Sequence, residues 1–401
     1  MNAKRFGNLL IAQSGGPTMV INQSLIGVVA AALDLQEVGK IYGARHGIEG
    51  ILGEDLVDFR RESRRHLEQV AQTPSAALGS VRRKPSPEDC TAIFEVLRRR
   101  EVRGFFYIGG NDSAETVQII DQAARRAKHD LVCFHIPKTI DNDLRANDHT
   151  PGYGSAARFV ACALMGDDLD NRALGGVKID VIMGRHAGFL TAASALARTA
   201  PDDGPHLIYL PERPFDPDRF VVDVQGVVAR LGRCVVAVSE GIVDADGQPI
   251  AARFSQERDS HGNVQLSGTG ALGDLLAGWI REQGGIRRVR ADTFGYLQRT
   301  FPGMVSTVDA REARAVGKAA LQAALGRRWT SGSIAIKRQA GKRYGVTFEV
   351  VPIGRVARRT RSMPAAFINR AGNDVTPAFV DYARPLVGEL PVKALLQAER
   401  A

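Results

Sequence analysis

Residues 137–143, with the sequence PKTIDND, carry the side chains best suited to chemistry in this chain. They supply a cation, a hydroxyl, an amide and two carboxylates after an apolar run: Lys138, Thr139, Asn142, Asp141 and Asp143. Phosphoryl transfer to an alcohol needs a general base, a cation beside the transferred group and hydrogen bonds that fix the geometry. An EF-hand is excluded because Ala146 and Gly152 replace the required Gly and Glu. The segment therefore indicates a phosphoryl-transfer site, with a plain solvated loop as the alternative.

Two glycine turns follow other apolar runs. Ser14-Gly15-Gly16 and Gly109-Gly110-Asn111-Asp112-Ser113 each end a predicted strand and open a predicted helix. Glycines allow a phosphate to approach the backbone closely, and a helix N-terminus offers unpaired N–H groups. The alternatives are a tight turn without ligand and an ordinary helix N-cap. Neither the dinucleotide fingerprint GxGxxG nor the Walker pattern GxxxxGK[ST] occurs.

Polar residues also end later predicted strands. Arg185 and His186 follow one strand in the segment MGRHAG, and Glu240 follows another in SEG, where it could accept hydrogen bonds from sugar hydroxyls. Arg290 and the segment Tyr296–Arg299 offer guanidinium groups, whose fork of donors suits phosphate. Because all of these residues follow predicted strands, together they indicate a binding site more strongly than any one of them does alone.

The elements that position these residues alternate between strand and helix. Strands are predicted at 8–13, 104–108, 131–136, 177–183, 206–210 and 234–239, and helices at 87–100 and 187–200. Strands that are apolar on both faces and alternate with helices predict an α/β fold of doubly wound parallel sheets. Ligands bind such sheets beyond the carboxyl ends of the strands, where the turns described above would gather. The polar segment 247–268 is predicted to be a surface excursion.

Composition narrows the class of protein. The 401 residues are 44% apolar and 24% charged, with a net charge of +9, which excludes collagen, a disordered chain and a disulfide scaffold and favours two domains. The positive charge is compatible with nucleic acid, an anionic substrate or a basic surface. Basic runs such as Arg82-Arg83-Lys84 lack an accompanying RNP or zinc-finger pattern, so no nucleic-acid partner is predicted.

The four cysteines lack zinc-ligand spacing and no leader or membrane span is evident, so a cytoplasmic protein is predicted.

The motifs GGNDS, PKTIDND, MGRHAG, SEG and YLQR, in this order between Ser14 and Arg299, resemble those of the phosphofructokinases, most closely the pyrophosphate-dependent bacterial branch. The resemblance implies two doubly wound parallel-sheet domains with the active site in the cleft between them. The larger, diphosphate-binding domain would comprise residues 1–152 and about 300–345, and the smaller, sugar-phosphate-binding domain residues 153–299. Residues 346–401 would form an extension packed on both.

The resemblance also implies roles for individual residues. Asp141 matches the general base that takes the proton from the 1-hydroxyl of fructose 6-phosphate, while Gly15 and Gly16 match the first phosphate-binding loop. Orientation of substrate and transferred group is implied for Thr139, Ile140 and Asp143. Contacts to the sugar phosphate are implied for Met183, Gly184, Arg185 and Glu240, and contacts near its 6-phosphate for Arg290, Tyr296 and Arg299.

Two positions bear on the phosphoryl donor. ATP-using relatives usually have Gly where this chain has Asp112 and Lys138. Asp112 would project charge and bulk into the place of the nucleotide α-phosphate, and Lys138 would add a cation beside the transferred group. The predicted function is therefore reversible phosphoryl transfer between diphosphate and fructose 6-phosphate, giving fructose 1,6-bisphosphate and phosphate. The alternatives are an ATP-dependent 6-phosphofructokinase, a non-catalytic sugar-phosphate sensor and a nucleic-acid-binding protein.

The resemblance further implies Mg²⁺ and a homodimer or higher homo-oligomer. Asn111 stands where relatives commonly carry an Asp associated with Mg²⁺, and an amide oxygen can still ligate the ion. Gly176 falls where many relatives place an Arg that reaches the neighbouring subunit's site, and Lys178 is a candidate to replace it.

Overall fold

A computed structural model describes residues 6–253, 270–341 and 343–396 of the chain. Residues 254–268 of the predicted surface excursion lie outside this description. Within the described ranges, none of the helices is both long enough and apolar enough to cross a lipid bilayer.

The strands alternate with helices along most of the chain. The strands are β1 Gly7–Gln13, β2 Val38–Ala44, β3 Leu56–Asp58, β4 Val102–Gly109, β5 Val132–Pro137, β6 Gly176–Ile182, β7 Leu207–Tyr209, β8 Arg233–Ser239, β9 Val289–Thr293, β10 Ser331–Arg338 and β11 Val346–Val351. The α-helices are α1 Ile21–Leu33, α2 Ile48–Leu52, α3 Arg64–Gln72, α4 Pro87–Arg99, α5 Asn111–Arg126, α6 Tyr153–Leu174, α7 Phe189–Ala192, α8 Pro217–Leu231, α9 Ala271–Glu282, α10 Leu297–Thr300, α11 Thr307–Leu325 and α12 Pro377–Val387.

The larger sheet has seven strands in the order β11-β10-β5-β4-β1-β2-β3. Its five inner strands are parallel, and β3 and β11 pair antiparallel at the two edges. Alternation along β1 sends Leu9 and Ile11 into the core beneath α1, α3 and α11, and Leu10 into the core beneath α2, α4 and α5. Both faces are thus covered, as predicted for a doubly wound sheet.

Strand β11 changes the interpretation of the C-terminal residues. Residues 346–401 were expected to form an extension packed on the domains, but β11 is an edge strand of the larger sheet, paired with β10 from Ser333↔Val351 to Arg338↔Val346. Its alternating, half-exposed pattern suits the edge of a sheet. Beyond it, α12 packs against α6 and α11.

The smaller sheet contains four parallel strands in the order β7-β8-β6-β9. Helices α8 and α9 cover one face, and α6, α7 and α12 cover the other. The predicted helix over 187–200 is shorter in the structure, because α7 gives way to a 3₁₀ helix at Ala193–Ala197. All residues from Phe189 to Ala197 are buried, so this segment packs inside the core on every side.

Candidate active site

The carboxyl ends of strands from both sheets face one cavity of about 510 Å³. Ser14, Gly110 and Lys138 immediately follow β1, β4 and β5 and line it from the larger sheet. From the smaller sheet, Met183 and Glu240 immediately follow β6 and β8. The cavity lining includes most of the residues singled out from the sequence: Gly15, Gly16, Asn111, Asp112, Lys138, Thr139, Asp141, Asp143, Met183, Arg185, Glu240, Tyr296 and Arg299.

The first glycine turn is packed against two cations. Lys138 Nζ donates a 2.7 Å hydrogen bond to the Gly16 carbonyl, and a Cβ at Gly15 would lie 3.1 Å from the same Nζ. Gly15 has φ of +76°, and a Cβ at Gly16 would lie 3.3 Å from Arg299 Cζ. Glycine is needed because side chains that carry positive charge approach the backbone here. A phosphate at this turn would meet two cations.

Lys138 is almost completely buried, with an exposed fraction of 3%. Burial, together with repulsion from Arg299 and Arg82, lowers the pKa of its ammonium group to about 7. An anion beside Lys138 would reverse this effect by favouring its charged form. The site is therefore short of negative charge at the position where a phosphate would sit.

The acidic loop, defined as residues 138–148, carries the two carboxylates that face the cavity. Asp141 N–H donates to Thr139 Oγ1 at 3.1 Å, so the loop turns sharply at its start. Burial raises the pKa of Asp141, opposed chiefly by the charges of Arg299 and Lys138. Burial and repulsion from Asp141 raise the pKa of Asp143 to about 7. Carboxylates with raised pKa values are suited to accept a proton near neutral pH.

The second glycine turn leads directly into α5, and the Ser14 and Ser113 hydroxyls join it to the first turn by a short hydrogen bond. Asn111 Oδ1 accepts a 3.0 Å hydrogen bond from the Asp112 N–H. Asp112 Oδ1 lies 3.2 Å from Lys84 Nζ, which also lies 2.7 Å from Glu115 Oε2. The Asp112 carboxylate is thus ion-paired across the cavity wall.

The basic arm, defined as residues 81–86, was missed as part of the site. From the sequence, Arg82-Arg83-Lys84 indicated only a possible nucleic-acid contact, yet all three residues line the cavity. The arm is held beside the first glycine turn by a 3.2 Å hydrogen bond from the Gly15 N–H to the Val81 carbonyl. No local pattern signals this, because the contact joins positions far apart in sequence. Other lining residues without an assigned role are Ser14, Val81, Gly110, Ser113, Thr116, His186 and Thr360.

The smaller sheet contributes the other side of the cavity. The Met183 N–H donates to Gln298 Oε1 at 3.4 Å, which links the turn after β6 to helix α10. The Arg299 guanidinium carbon lies 4.5 Å from the centre of the Tyr296 ring. With Arg185 and Glu240, these residues form a surface that can bind hydroxyls and an anion.

Three predicted site residues are not among the described residues that line the cavity. Ile140 is 6% exposed and packs in the core beneath α6. Gly184 shapes the turn before Arg185, since its φ is +140° and a Cβ would lie 2.7 Å from the Ala187 carbonyl oxygen. Arg290 is exposed on β9, and its guanidinium donates to the Val289 carbonyl.

Lys178, considered as a cation for a neighbouring subunit, is paired within its own chain. Its ammonium contacts Asp292 and lies 3.5 Å from Asp167 Oδ1. With the fully buried Asp180, these two carboxylates form an acidic cluster that Lys178 partly neutralises.

Oxygen atoms suited to Mg²⁺ are present in the cavity. Asn111, Asp141 and Asp143 all line it, and a carbonyl oxygen such as Asn111 Oδ1 has a second lone pair besides the one that accepts the Asp112 N–H. Mg²⁺ in phosphoryl-transfer sites is usually held by one or two carboxylates together with substrate phosphates. A divalent cation would also relieve the repulsion that raises the pKa of Asp143. The residues present therefore fit this ion.

Comparison with known proteins places this geometry in a family. The sequence profile described as Phosphofructokinase matches residues 8–324. A pyrophosphate–fructose 6-phosphate 1-phosphotransferase of Rhodospirillum rubrum is 56% identical over 386 residues, covering 95% of this chain and 94% of the relative. One of Xanthomonas campestris pv. campestris is 40% identical over 396 residues, covering 96% and 93%. The crystal structure of a pyrophosphate-dependent phosphofructokinase from Marinobacter aquaeolei superposes with a TM-score of 0.85 at 32% identity, covering 97% of this chain and 94% of that chain. The chain belongs to the phosphofructokinase family.

Proposed function

We propose that the protein transfers a phosphoryl group from diphosphate to the 1-hydroxyl of D-fructose 6-phosphate, giving fructose 1,6-bisphosphate and phosphate. The observation that carries this proposal is the buried Lys138 ammonium on the first glycine turn, in the same cavity as the Asp141 carboxylate. The names of the relatives at 56% and 40% identity support the same reaction. Diphosphate, the donor, and fructose 1,6-bisphosphate, the phosphorylated product, are close in free energy of phosphoryl transfer, so we expect the reaction to be readily reversible.

The chemical step is a direct displacement. Asp141 accepts the proton of the 1-hydroxyl while the oxygen of that hydroxyl forms a bond to one phosphorus atom of diphosphate. The bond from that phosphorus atom to the bridging oxygen breaks at the same time. The second phosphate leaves with the bridging oxygen. The Gly15-Gly16 turn holds the donor, and the Lys138 ammonium stabilises the charge that develops on the transferred group. A raised pKa suits Asp141 to this role, because a base is most effective when its pKa lies near the working pH.

The remaining site residues orient the sugar phosphate. Thr139 and Asp143 position the reacting groups, and Ile140 fixes the acidic loop from the core. Hydroxyls and phosphate of the sugar are bound by Met183, Gly184, Arg185 and Glu240. Its 6-phosphate is bound by Tyr296 and Arg299, together with an Arg290 supplied by a second copy of the chain. These contacts hold the 1-hydroxyl in line with diphosphate, which is the main task of a phosphoryl-transfer site.

Selection of diphosphate over ATP is assigned to Asp112 and Lys138. The Asp112–Lys84 ion pair of 3.2 Å joins α5 to the basic arm across the part of the cavity that the rest of a nucleotide would need. Lys138 supplies the binding energy that diphosphate cannot obtain from a nucleoside. The bulk and negative charge of Asp112 and the positive charge of Lys138 both favour diphosphate as the donor.

Mg²⁺ is the proposed cofactor, held by diphosphate oxygens with Asn111 and the carboxylates of the acidic loop. When bound, the ion neutralises charge on diphosphate. The proposed setting is the cytoplasm, at the glycolytic step that interconverts the two fructose phosphates.

A homodimer is proposed because a cation on the smaller sheet and several large apolar side chains are exposed. Arg290 is exposed on the edge strand β9, and large apolar side chains are exposed on α6 and near α10: Leu169, Leu174, Leu297 and Phe301. A second copy packed here would bury these groups, and Arg290 would reach a 6-phosphate in its partner. Sedimentation of the purified protein as a monomer at micromolar concentration would contradict this arrangement.

The donor is tested by assaying formation of fructose 1,6-bisphosphate with Mg-diphosphate and with Mg-ATP side by side. We expect turnover with diphosphate to exceed turnover with ATP by orders of magnitude. Faster turnover with ATP would overturn the donor assignment, and no turnover with either donor would favour a sugar-phosphate sensor.

A further inference from the structure

Asn142 lies between the two carboxylates of the acidic loop in an unusual backbone conformation. Its φ is +59°, and its side chain is completely buried. Among residues other than glycine, asparagine enters the left-handed region most readily, and surrounding contacts determine where it does so. Because Asp141 and Asp143 flank Asn142, the contacts that hold it also determine where both carboxylates point.

Arg361 provides several of those contacts. Its Nε donates to the Asn142 carbonyl at 2.9 Å, and its Nη2 donates to Asn142 Oδ1 at 2.9 Å and to the Asp148 carbonyl at 3.1 Å. The Arg361 N–H donates to the Asp143 carbonyl at 2.7 Å. One residue thus binds the backbone at Asn142, at the next residue and at the end of the acidic loop.

Tyr382 completes the arrangement from helix α12. Its hydroxyl accepts a 2.7 Å hydrogen bond from Asn142 Nδ2 and donates one of 2.7 Å to the Asp148 carbonyl. The ring packs near Phe189 and Phe379, with centroids 6.0 and 6.1 Å away, so the hydroxyl is firmly placed. The Arg361 guanidinium lies 4.8 Å from the centre of the Phe189 ring, which anchors it to the same aromatic group.

We propose that Arg361 and Tyr382 are positioning residues for phosphoryl transfer, which hold Asn142 in its left-handed conformation and thereby aim Asp141 and Asp143 at the cavity. The proposal rests on the roles proposed above for these two carboxylates. Both positioning residues lie beyond residues 8–324, where the family profile matches, whereas the acidic loop lies inside that range. A segment outside the matched region therefore supports the reacting groups within it.

Three variants separate geometry from charge. Arg361→Lys keeps the charge but cannot make the three side-chain hydrogen bonds together. Arg361→Met removes both the charge and the side-chain hydrogen bonds, and Tyr382→Phe removes only the hydroxyl. We expect kcat for diphosphate-dependent turnover to fall about 10- to 100-fold in both Arg361 variants and about 3- to 10-fold in Tyr382→Phe, since small misplacements of reacting groups have effects of this order. The KM for fructose 6-phosphate should change less than about threefold.

The contrast between kcat and KM distinguishes positioning from a merely structural role. A misaimed carboxylate lowers kcat in a folded enzyme whose KM for fructose 6-phosphate is nearly unchanged. Controls are Arg198→Lys, which loses contacts to Asp374 and the Pro205 carbonyl, and Tyr209→Phe, which loses a hydroxyl contact to Asp223. These two variants should alter thermal stability without changing kcat or KM.

The proposal is overturned if folded Arg361→Lys and Tyr382→Phe both keep the kcat of the unaltered enzyme. It is also overturned if the controls lose kcat to the same degree, because the effect would then come from stability alone. Asp141→Asn assayed in parallel separates this result from the assignment of the base. Normal turnover of Asp141→Asn would refute the base, whereas its loss beside an unaffected Arg361→Lys would refute only the positioning role.

Discussion

The acidic loop and the basic arm border the same cavity but are fastened in different ways. The acidic loop is held by partly buried hydrogen bonds to Asn142 and to backbone carbonyls, such as the 2.9 Å bond from Arg361 Nε to the Asn142 carbonyl. The basic arm is held by the Gly15–Val81 backbone hydrogen bond and by two ion pairs of Lys84. One pair is with the buried Glu115, and the other is with Asp112 between side chains that are nearly half exposed, 42% for Lys84 and 47% for Asp112. Exposed ion pairs typically contribute about 0.2–1 kcal/mol and are weakened by salt.

This difference separates two tasks of a phosphoryl-transfer site. In the proposed reaction the group that takes the proton must be held within a fraction of an ångström, and the contacts of the acidic loop suit that requirement. The cations that receive a charged donor need less exact placement, because Coulomb attraction falls off gradually with distance. Changes to the acidic loop should therefore reduce kcat, and changes to the basic arm should mainly alter the KM for diphosphate.

The largest effect is expected for Asp141→Asn, which keeps the size of the side chain but cannot accept the proton. We predict a fall in kcat of about 10³- to 10⁴-fold, with little change in the affinity for fructose 6-phosphate measured by calorimetry. Asp130→Asn, an exposed change remote from the cavity, serves as the control. Near-normal turnover of Asp141→Asn would remove this residue as the base.

The double variant Asp112→Gly with Lys138→Gly should have the next largest effect. Loss of the buried cation should reduce diphosphate-dependent kcat about 10²- to 10³-fold, the size seen when one group that stabilises a transition-state charge is removed. Removing Asp112 opens the cavity wall, so weak ATP-dependent turnover should appear. Unchanged diphosphate kinetics in this variant would refute the roles of both residues.

The pH dependence should change activity by about tenfold per unit on either side of a maximum near pH 7. Below it, the acidic loop takes up protons, because the pKa of Asp143 is raised to about 7 and that of Asp141 is raised as well. Above it, Lys138 in the free enzyme loses its proton, because its pKa is lowered to about 7. The measurement is kcat/KM for diphosphate from pH 5.5 to 9.

Lys138→Arg is the control for the alkaline limb. Guanidinium keeps its proton throughout this range, so the limb should move to higher pH while substrate ionisation stays the same. An identical alkaline limb in this variant would show that a group other than Lys138 is titrating.

The smallest effect is expected for Lys84→Ala in the basic arm. The KM for diphosphate should rise about two- to fivefold at low ionic strength, with kcat unchanged, as expected for one partly exposed cation. The difference should shrink at high salt because screening weakens the attraction. Lys40→Ala, an exposed change that does not line the cavity, is the control. A large fall in kcat would contradict the division of tasks between arm and loop.

Local signals were sufficient to predict the strand–turn–helix units and much of the site. Parallel sheets bring strand ends together, so Gly15, Lys138, Met183 and Glu240 could be placed near one another from their positions after apolar runs. Helix α4 was also predictable, because Ser86 caps it and Pro87 opens it. These features depend on neighbouring residues only.

Features that depend on distant contacts could not be predicted. Arg82 and Arg83 have the same composition as a solvated basic run, and only the backbone contact of Gly15 with Val81 brings them to the cavity. Arg361 belongs to no motif, and its partner Asn142 lies 219 positions away. The edge strand β11 was not foreseen either, because its half-exposed alternating residues carry a weaker strand signal than the buried strands.

The place of β10 in the larger sheet affects how the chain folds during synthesis. Strand β10 lies beside β5, although the whole smaller sheet, ending at Thr293, is made between them. While those residues leave the ribosome, β5 is an open edge with unpaired backbone groups and apolar side chains on both faces. The nascent chain is then most exposed to pairing with other chains, and arrival of Ser331–Arg338 ends that interval by covering the edge.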